Sequence, residues 1–210
     1  MKRFLPLLSL LTLLATSITA QELRYGITAA LNISNYSIDQ SGITYNANSR
    51  TGFKAGFRME IDAPFITEGF YFDMEALLSS RGATIQQIYA DNYFSNTFRP
   101  YYLEVPIHAG YRYDFGEDLG LFASFGPYFD IGLFGKNKFF NGVATSKPDT
   151  FAGSGIKRFD FGLGLRGGVQ FFEHYRIFVG YDWGLVDIAR KAENDSAYNR
   201  NFYIGASYMF

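Results

Sequence analysis

The sequence contains no cysteine, and this absence excludes disulfide bonds, thiolate metal sites and the lipid-modified cysteine of a lipoprotein signal. It also has no surplus of positive charge, with 19 basic and 20 acidic side chains. That balance argues against a nucleic-acid-binding protein, because the phosphate backbone is bound by strongly basic surfaces. After Gln21 no apolar run reaches the ~20 residues that a transmembrane helix needs. The apolar residues are instead dispersed along a chain whose length suits one domain.

The first 20 residues have the pattern of an export signal. Lys2 and Arg3 form a short basic region, the segment 4–14 is apolar, and the segment 15–20 holds mostly small or polar residues. We expect a signal peptide over residues 1–20, cleaved after Ala20, and one mature domain over residues 21–210. A retained membrane anchor is the alternative, but the apolar run is short for a span. Removal of the signal leaves 17 basic and 20 acidic side chains.

Aromatic side chains are abundant, with 23 Phe and 16 Tyr, yet the mean hydropathy is close to zero at −0.05. The segment 200–210 shows how a high aromatic content is compatible with a mean hydropathy near zero. Apolar residues alternate along it with residues that are mostly polar or small. One face carries Phe202, Ile204, Ala206, Tyr208 and Phe210. A period of two with one apolar face is typical of a strand between lipid and a polar interior. We expect the terminal Phe210 to be the assembly signal read by the barrel-assembly machinery.

Eight alternating stretches divide the chain, and they cover residues 24–33, 51–62, 69–80, 98–113, 119–133, 156–172, 175–188 and 200–210. Long connections (34–50, 81–97, 135–155 and 189–199) alternate with short turns near Pro64, Gly116 and His174. Outer-membrane barrels have this plan, with short periplasmic turns and longer outer loops. An even number of strands also lets the first pair with the last, leaving no open edge. The sequence therefore predicts an all-β fold, an eight-stranded antiparallel transmembrane β-barrel in the bacterial outer membrane.

Charged side chains fall almost entirely on the faces predicted to point inward. An eight-stranded barrel is just wide enough for side chains to fill. Because a lone buried charge costs several kcal/mol, charges of both signs must pair there. We predict a polar network that fills the lumen, made of Arg58, Glu60, Glu75, Glu104, His108, Arg112, Arg158, Asp160, Arg166 and Asp182, with Lys54, Asp62, Asp73, Asp130 and Arg176 on the same faces. The alternative is a conduit for a small solute lined by the same residues.

Two motifs with catalytic or cofactor associations have simpler explanations. Glu104 and His108 lie four residues apart on one strand face, and Ser124 on the next strand also points inward, so these three could activate a nucleophile. A lipid-modifying site must meet lipid, however, and these residues face inward. The glycine-rich run 162–167 matches a dinucleotide-binding pattern but lies in a period-two strand with no following helix. We assign no catalytic, cofactor-binding or metal residue, and we expect neither an enzyme nor a cofactor.

Two sets of aromatic residues differ in their position. One lies on outward faces near strand ends, where amphipathic rings settle at the membrane–water interfaces: Tyr101, Tyr111, Tyr113, Trp183, Tyr208 and Phe210. The other lies in the long connections and comprises Tyr89, Tyr93, Phe94, Phe139, Phe140 and Phe151. We expect Tyr93, Phe94, Phe139 and Phe140 to be contact residues for a surface partner. Packing of these rings within the loops or at the barrel rim is the alternative.

The fourth alternating stretch resembles a known family. Its run YLEVPI at residues 102–107, followed by GYRY at 110–113, is similar to a strand of the PorT-like outer-membrane β-barrel proteins, and the runs 158–163 and 181–185 also fit. The resemblance implies a small outer-membrane barrel, and the founding member of that family is associated with a protein-secretion apparatus. Fold likeness alone does not transfer that role.

These expectations converge on a non-enzymatic outer-membrane barrel that acts in envelope structure or in partner binding. Its partners would be outer-membrane lipid, the barrel-assembly machinery, and a surface or secretion-apparatus protein bound by the outer loops. We expect no nucleic-acid partner, because the charge balance is slightly acidic. A small-solute channel or transporter of the outer membrane is the alternative function.

Overall fold

The computed structural model describes residues 23–40, 43–89, 92–116, 118–153, 155–190 and 195–210. The predicted signal peptide, residues 1–20, lies outside the described residues, as do the side chains of residues 40, 43–46, 87–89, 92, 93 and 195. Within the described part of the chain, no helix is long and apolar enough to cross a membrane.

Eight long strands form the main sheet: β1 (Leu23–Gln40), β3 (Asn48–Asp62), β4 (Phe70–Ser80), β7 (Pro100–Asp114), β8 (Leu119–Gly135), β11 (Phe159–Phe171), β12 (Tyr175–Gly184) and β13 (Asp195–Met209). Five short strands lie between them: β2 (Ile43–Asn46), β5 (Ala83–Tyr89), β6 (Asn92–Thr97), β9 (Lys138–Phe140) and β10 (Thr145–Ser146). The long strands pair antiparallel with their neighbours, and β1 pairs with both β3 and β13. The sheet is therefore closed, and the predicted eight-stranded antiparallel barrel is confirmed.

Alternation of side chains along each long strand places apolar residues outward and polar residues inward. In β1, Ile27 and Leu31 are 48% and 59% exposed, whereas Thr28 and Asn32 between and beside them are buried. The outward positions of the segments 23–33, 51–61, 70–78, 101–113, 119–133, 159–171, 175–183 and 202–210 carry no charged residue. Because a tilted strand crosses the membrane in about 9–11 residues, the segment 23–33 of β1 is long enough to span, and the rest of β1 extends beyond.

The long connections contain strands that the alternation did not reveal. β1 continues past Ile33 and pairs with β2, and β5 pairs with β6 within the connection 81–97. β5, β6, β9 and β10 form a small sheet, here called the outer sheet, which joins β3 at Ser49↔Ala83. The prediction that these segments are loops is wrong. Outside the membrane neither face of a strand contacts lipid, so the period-two signal is lost.

Two strands are shorter than predicted, because apolar residues predicted at their ends pack in a buried cluster instead. β11 begins at Phe159 rather than at residue 156, and β12 ends at Gly184 rather than at residue 188. Ile156 and Ile188 are instead buried in an apolar cap at the outer end of the barrel. The cap consists of Tyr36, Ile38, Ala47, Ala83, Tyr102, Phe151, Ile156 and Ile188. Phe151, predicted as a loop aromatic, is 3% exposed and belongs to this cap.

The β11–β12 turn holds two residues in a conformation that favours glycine. Phe172 has a φ of 49° and Glu173 a φ of 60°, and the amide of His174 donates to the carbonyl of Phe171 at 3.2 Å. Positive φ at both central positions is the geometry of a type I′ hairpin turn, in which Asn and Gly are preferred. Each of these two residues is therefore held in a disfavoured backbone conformation.

We predict that Glu173→Gly raises the free energy of unfolding by about 0.5–1 kcal/mol, since the relief of the left-handed penalty exceeds the entropy that glycine adds to the unfolded chain. Urea unfolding in lipid bilayers measures the change. Glu68→Gly is the matched control in the β3–β4 turn, where Glu68 has no positive φ, and it should leave stability unchanged or lower it. An equal rise in both variants would show that turn strain is not the cause.

Candidate functional site

The inward faces of the eight long strands enclose a charged interior. Eight of the ten residues predicted to form the lumen network are buried in it: Arg58, Glu60, Glu75, Glu104, His108, Asp160, Arg166 and Asp182. Cross-strand register brings them together, since Arg58 lies opposite Glu75 and Glu104 lies opposite Asp130. The side chains form three layers between the periplasmic end, where the short turns and the end of β13 lie, and the outer end.

The layer at the periplasmic end is centred on Glu60. Both of its carboxylate oxygens accept hydrogen bonds from Arg176, the Nη2–Oε1 distance being 2.9 Å. Arg58 donates to the same carboxylate at 3.2 Å and Arg112 at 3.0 Å, and Arg24 donates to it as well. Four guanidinium groups therefore share one carboxylate. Arg112 is partly exposed and forms the edge of the network toward the periplasm.

Two aspartates offset the surplus of positive charge in this layer. Asp73 is fully enclosed and accepts a hydrogen bond from Arg58 at 2.7 Å. Asp62 lies at the periplasmic edge, 3.5 Å from Arg112 and 3.6 Å from Arg24. Since buried charges are tolerated where partners of opposite sign surround them, the layer is neutralised largely by protein groups.

The middle layer joins an ion pair to a group of aromatic rings. Arg166 donates two parallel hydrogen bonds to Glu75, at 2.7 and 2.8 Å, which is the strongest geometry for an arginine–carboxylate pair. The guanidinium carbon of Arg166 lies 4.9 Å from the centre of the Phe178 ring, within the range of a cation–π contact. The apolar neighbours here are Ala30, Tyr71, Phe122, Phe178 and Tyr203. Rings thus occupy the space that the ion pairs leave.

The outer layer is organised by Arg81. Its Nη2 lies 2.7 Å from Glu104 and 3.0 Å from Asp182, and its Nη1 lies 3.1 Å from Asp130. Lys54 binds two of the same carboxylates, Glu104 at 2.9 Å and Asp182 at 3.4 Å. All five side chains are at most 3% exposed. Two cations therefore hold three carboxylates directly beneath the apolar cap.

Arg81 is the member of the network that sequence reasoning missed. The prediction assigned it to the connection 81–97, because the alternating stretch was ended at Ser80. The inward positions of β4 are Asp73, Glu75, Leu77 and Ser79, and the same period of two places residue 81 inward as well. The signal was thus present one residue beyond the predicted strand end.

The prediction for Arg158 is wrong, since this side chain does not enter the interior. Arg158 is exposed, and its Nη1 donates to the carbonyl oxygens of Gly132 and Leu133 at 2.7 and 2.9 Å. β11 begins one residue later, so alternation does not govern the direction of this side chain.

Asp160 is buried and is held by neutral donors. Its Oδ2 accepts hydrogen bonds from the Tyr128 hydroxyl at 3.2 Å and from the Asn199 amide at 2.7 Å. The Tyr128 ring lies against Gly162, where an added Cβ would come within 2.6 Å of it. A Cβ at Gly162 would also clash with the carbonyl oxygen of Trp183. The close approach of the neighbouring strand and an interior ring therefore both favour glycine at this position of the motif-like run.

The possible His–Glu–Ser site does not assemble as a catalytic group. His108 Nδ1 lies 3.5 Å from Ser124 Oγ, at the limit of a hydrogen bond. Glu104 binds Lys54 and Arg81 instead of orienting the histidine. Among the described residues there is also no cluster of His, Cys, Asp and Glu that could hold a metal ion.

The outer sheet brings two of the predicted contact residues together. Phe94 and Phe139 both line a cleft of about 240 Å³, whose other walls are Ile85, Ser95 and Asn96. Phe140 is half-buried on β9 and lies opposite Ser95 of β6. Tyr93 belongs to β6, and its side chain lies outside the described residues.

Asp187 links the residues that directly follow β12 to β13. Its Oδ1 accepts hydrogen bonds from the amides of Ala189 and Ala197, both at 2.9 Å, and its Oδ2 lies 3.1 Å from Lys157 Nζ. Partial burial raises the pKa of Asp187, but the two amides and Lys157 outweigh it and hold the pKa below its ordinary value.

A family model and several solved structures are similar to this chain. The model of the outer membrane protein β-barrel domain family matches residues 19–190. Similar solved structures include the attachment invasion locus protein Ail of Yersinia pestis, with 16% identity, 90% of this chain and 99% of that chain covered, and a TM-score of 0.43. Neisserial surface protein A has 13% identity, coverage of 89% and 97%, and a TM-score of 0.45. OprG from Pseudomonas aeruginosa has 12% identity, coverage of 90% and 95%, and a TM-score of 0.43. No curated protein matches significantly.

We predict that Arg81→Met lowers the free energy of unfolding by about 3–5 kcal/mol. Among the described residues it leaves the buried Asp130 without an ion-pair partner, and Glu104 and Asp182 keep Lys54 alone. Urea unfolding in lipid bilayers measures the loss. Arg99→Met is the matched control at an exposed position, and a change within about 0.5 kcal/mol is expected there. Equal urea midpoints for the two variants would refute the proposed importance of the ion-pair layer.

Proposed function

The chain belongs to the outer membrane protein β-barrel domain family, and from that premise we propose that it is a non-enzymatic barrel that binds a partner at the cell surface through its outer sheet. The observation that carries this proposal is the filled interior. Three layers of ion pairs occupy the lumen and an apolar cap lies over them. A lumen of this kind leaves the two ends of the barrel for contact with a partner, and the outer end carries the longer connections.

The outer sheet is suited to that role by its attachment and by its surface. It is a hydrogen-bonded continuation of β3, so the barrel holds it in a defined position. Rigid elements present contact residues more precisely than mobile loops do. Its cleft combines the rings of Phe94 and Phe139 with the polar side chains of Ser95 and Asn96. At the tip of the β9–β10 hairpin, Val143 is 91% exposed.

Aromatic side chains in a cleft with polar neighbours are typical of the residues that dominate binding energy at protein interfaces. The resemblance to PorT-like proteins suggests a component of a protein-secretion apparatus as the partner. This partner is suggested by the resemblance carried by the runs 102–107, 110–113, 158–163 and 181–185. Co-purification from native membranes tests it together with the binding surface.

We predict that the double variant Phe94→Ser/Phe139→Ser folds but reduces the amount of co-purified partner by about tenfold or more, since loss of one anchor ring commonly costs about 2 kcal/mol. The affinity-tagged protein is isolated from native outer membranes, and the same variant is tested for rescue of a deletion strain. Heat-modifiable migration on a gel reports folding in both experiments.

The matched control is Phe65→Ser/Phe115→Ser, which removes two exposed rings from the periplasmic turns. It should keep the partner and rescue the deletion strain. If the outer-sheet variant rescues fully while the control does not, the partner binds the periplasmic turns and the proposed surface is wrong.

A further inference from the structure

A second cleft at the outer end of the barrel is strongly cationic. Its volume is about 590 Å³, and it lies beside the outer ends of β3, β7 and β8 and the segment 136–149. Five of its lining residues are basic, namely Arg50, Arg99, Lys136, Lys138 and Lys147, and one, Asp149, is acidic. It shares no lining residue with the cleft of the outer sheet, so the two sites are independent.

The basic groups of this cleft are not neutralised within the described part of the chain, where none of the five forms an ion pair. Arg50 is held in place by the Ser80 hydroxyl at 3.2 Å and the Arg81 carbonyl at 2.8 Å. The Asp149 carboxylate accepts the Phe151 amide at 2.7 Å. In the interior, by contrast, arginines and lysines lie against carboxylates. A cleft lined by charges of one sign attracts ions of the opposite sign.

The position of the cleft relates it to the membrane surface. Its wall includes Tyr101 and Phe134, whose rings are stacked with centroids 4.8 Å apart. Directly below them on the outward face are Leu103, Ile131 and Leu133, which are 37%, 52% and 43% exposed. Aromatic rings at the edge of an apolar band mark the membrane–water interface of a barrel. The cationic groups therefore lie at the level of the lipid headgroups.

We propose that this cleft binds the phosphate-bearing headgroup of an outer-leaflet glycolipid, whose acyl chains lie along the outward faces of β7 and β8. Arginine and lysine bind phosphate oxygens through charge-assisted hydrogen bonds, and the stacked rings separate the headgroup from the acyl chains. A free phosphorylated sugar has the same anionic chemistry. The apolar band continuous with the cleft favours the lipid.

The test measures binding of lipid A to the full chain in phosphatidylcholine nanodiscs. The wild-type protein should bind phosphorylated lipid A, with an affinity that falls as salt is added because salt screens exposed charges. The variant Arg99→Glu/Lys136→Glu should bind about tenfold more weakly or worse, since it removes two charge-assisted contacts. The variant Lys138→Glu/Lys147→Glu changes two other basic residues of the same cleft and should weaken binding to a similar extent. It replaces the first variant in the test if the first variant folds poorly.

The control is Arg190→Glu, which reverses one positive charge at an exposed position outside the cleft. Its affinity for lipid A should stay within about twofold of the wild type, because the cleft contacts are intact. An equal loss of affinity in this control, or undiminished binding in both cleft variants, would overturn the site. If glucosamine 1-phosphate without acyl chains binds as tightly as lipid A, the cleft takes a soluble anion and the lipid assignment is wrong.

Discussion

Ion pairing inside the barrel is the interaction on which the rest of the structure depends. Closure of the sheet places Glu104, Asp130 and Asp160 on neighbouring strands directly opposite one another. Like charges in such positions destabilise a sheet, and isolated buried charges cost several kcal/mol each. Arg81, which directly follows β4, and Lys54 of β3 reach this row of carboxylates and bind two of its three members. The barrel can therefore close around a charged interior only if basic side chains from other strands lie in the same layer as these carboxylates.

In the proposed function, a filled interior leaves the outer end of the barrel as the binding surface. Two clefts with different lining residues lie at that end. The outer sheet offers rings with polar neighbours, which suits a protein partner, and the cationic cleft lies at the level of the headgroups, which suits an anionic lipid. Both depend on the barrel strands, because β3 carries the outer sheet and also positions Arg50. In this proposal, the strands that span the membrane also carry the binding surfaces.

The membrane-spanning part of this fold could be predicted from the sequence because lipid imposes a period of two on every strand. That signal ends where the membrane ends. β5 and β6 were expected to be loop, and Ile156 and Ile188 were expected to lie in strands although they pack in the apolar cap. The interior charges could be predicted as a set, but their partners could not. Pairing of Arg81 with Asp130 depends on how far the strands are staggered around the barrel, and no local pattern records that stagger.

Planar-bilayer conductance tests the central claim, a lumen filled by paired side chains, most directly. The purified wild-type protein is inserted into a bilayer in potassium chloride solution, and current is recorded at constant voltage. The account predicts no steady single-channel steps, because ion-pair layers and an apolar cap occupy the path. Reproducible, long-lived steps whose size rises in proportion to voltage would show a continuous aqueous path through the barrel and would contradict it.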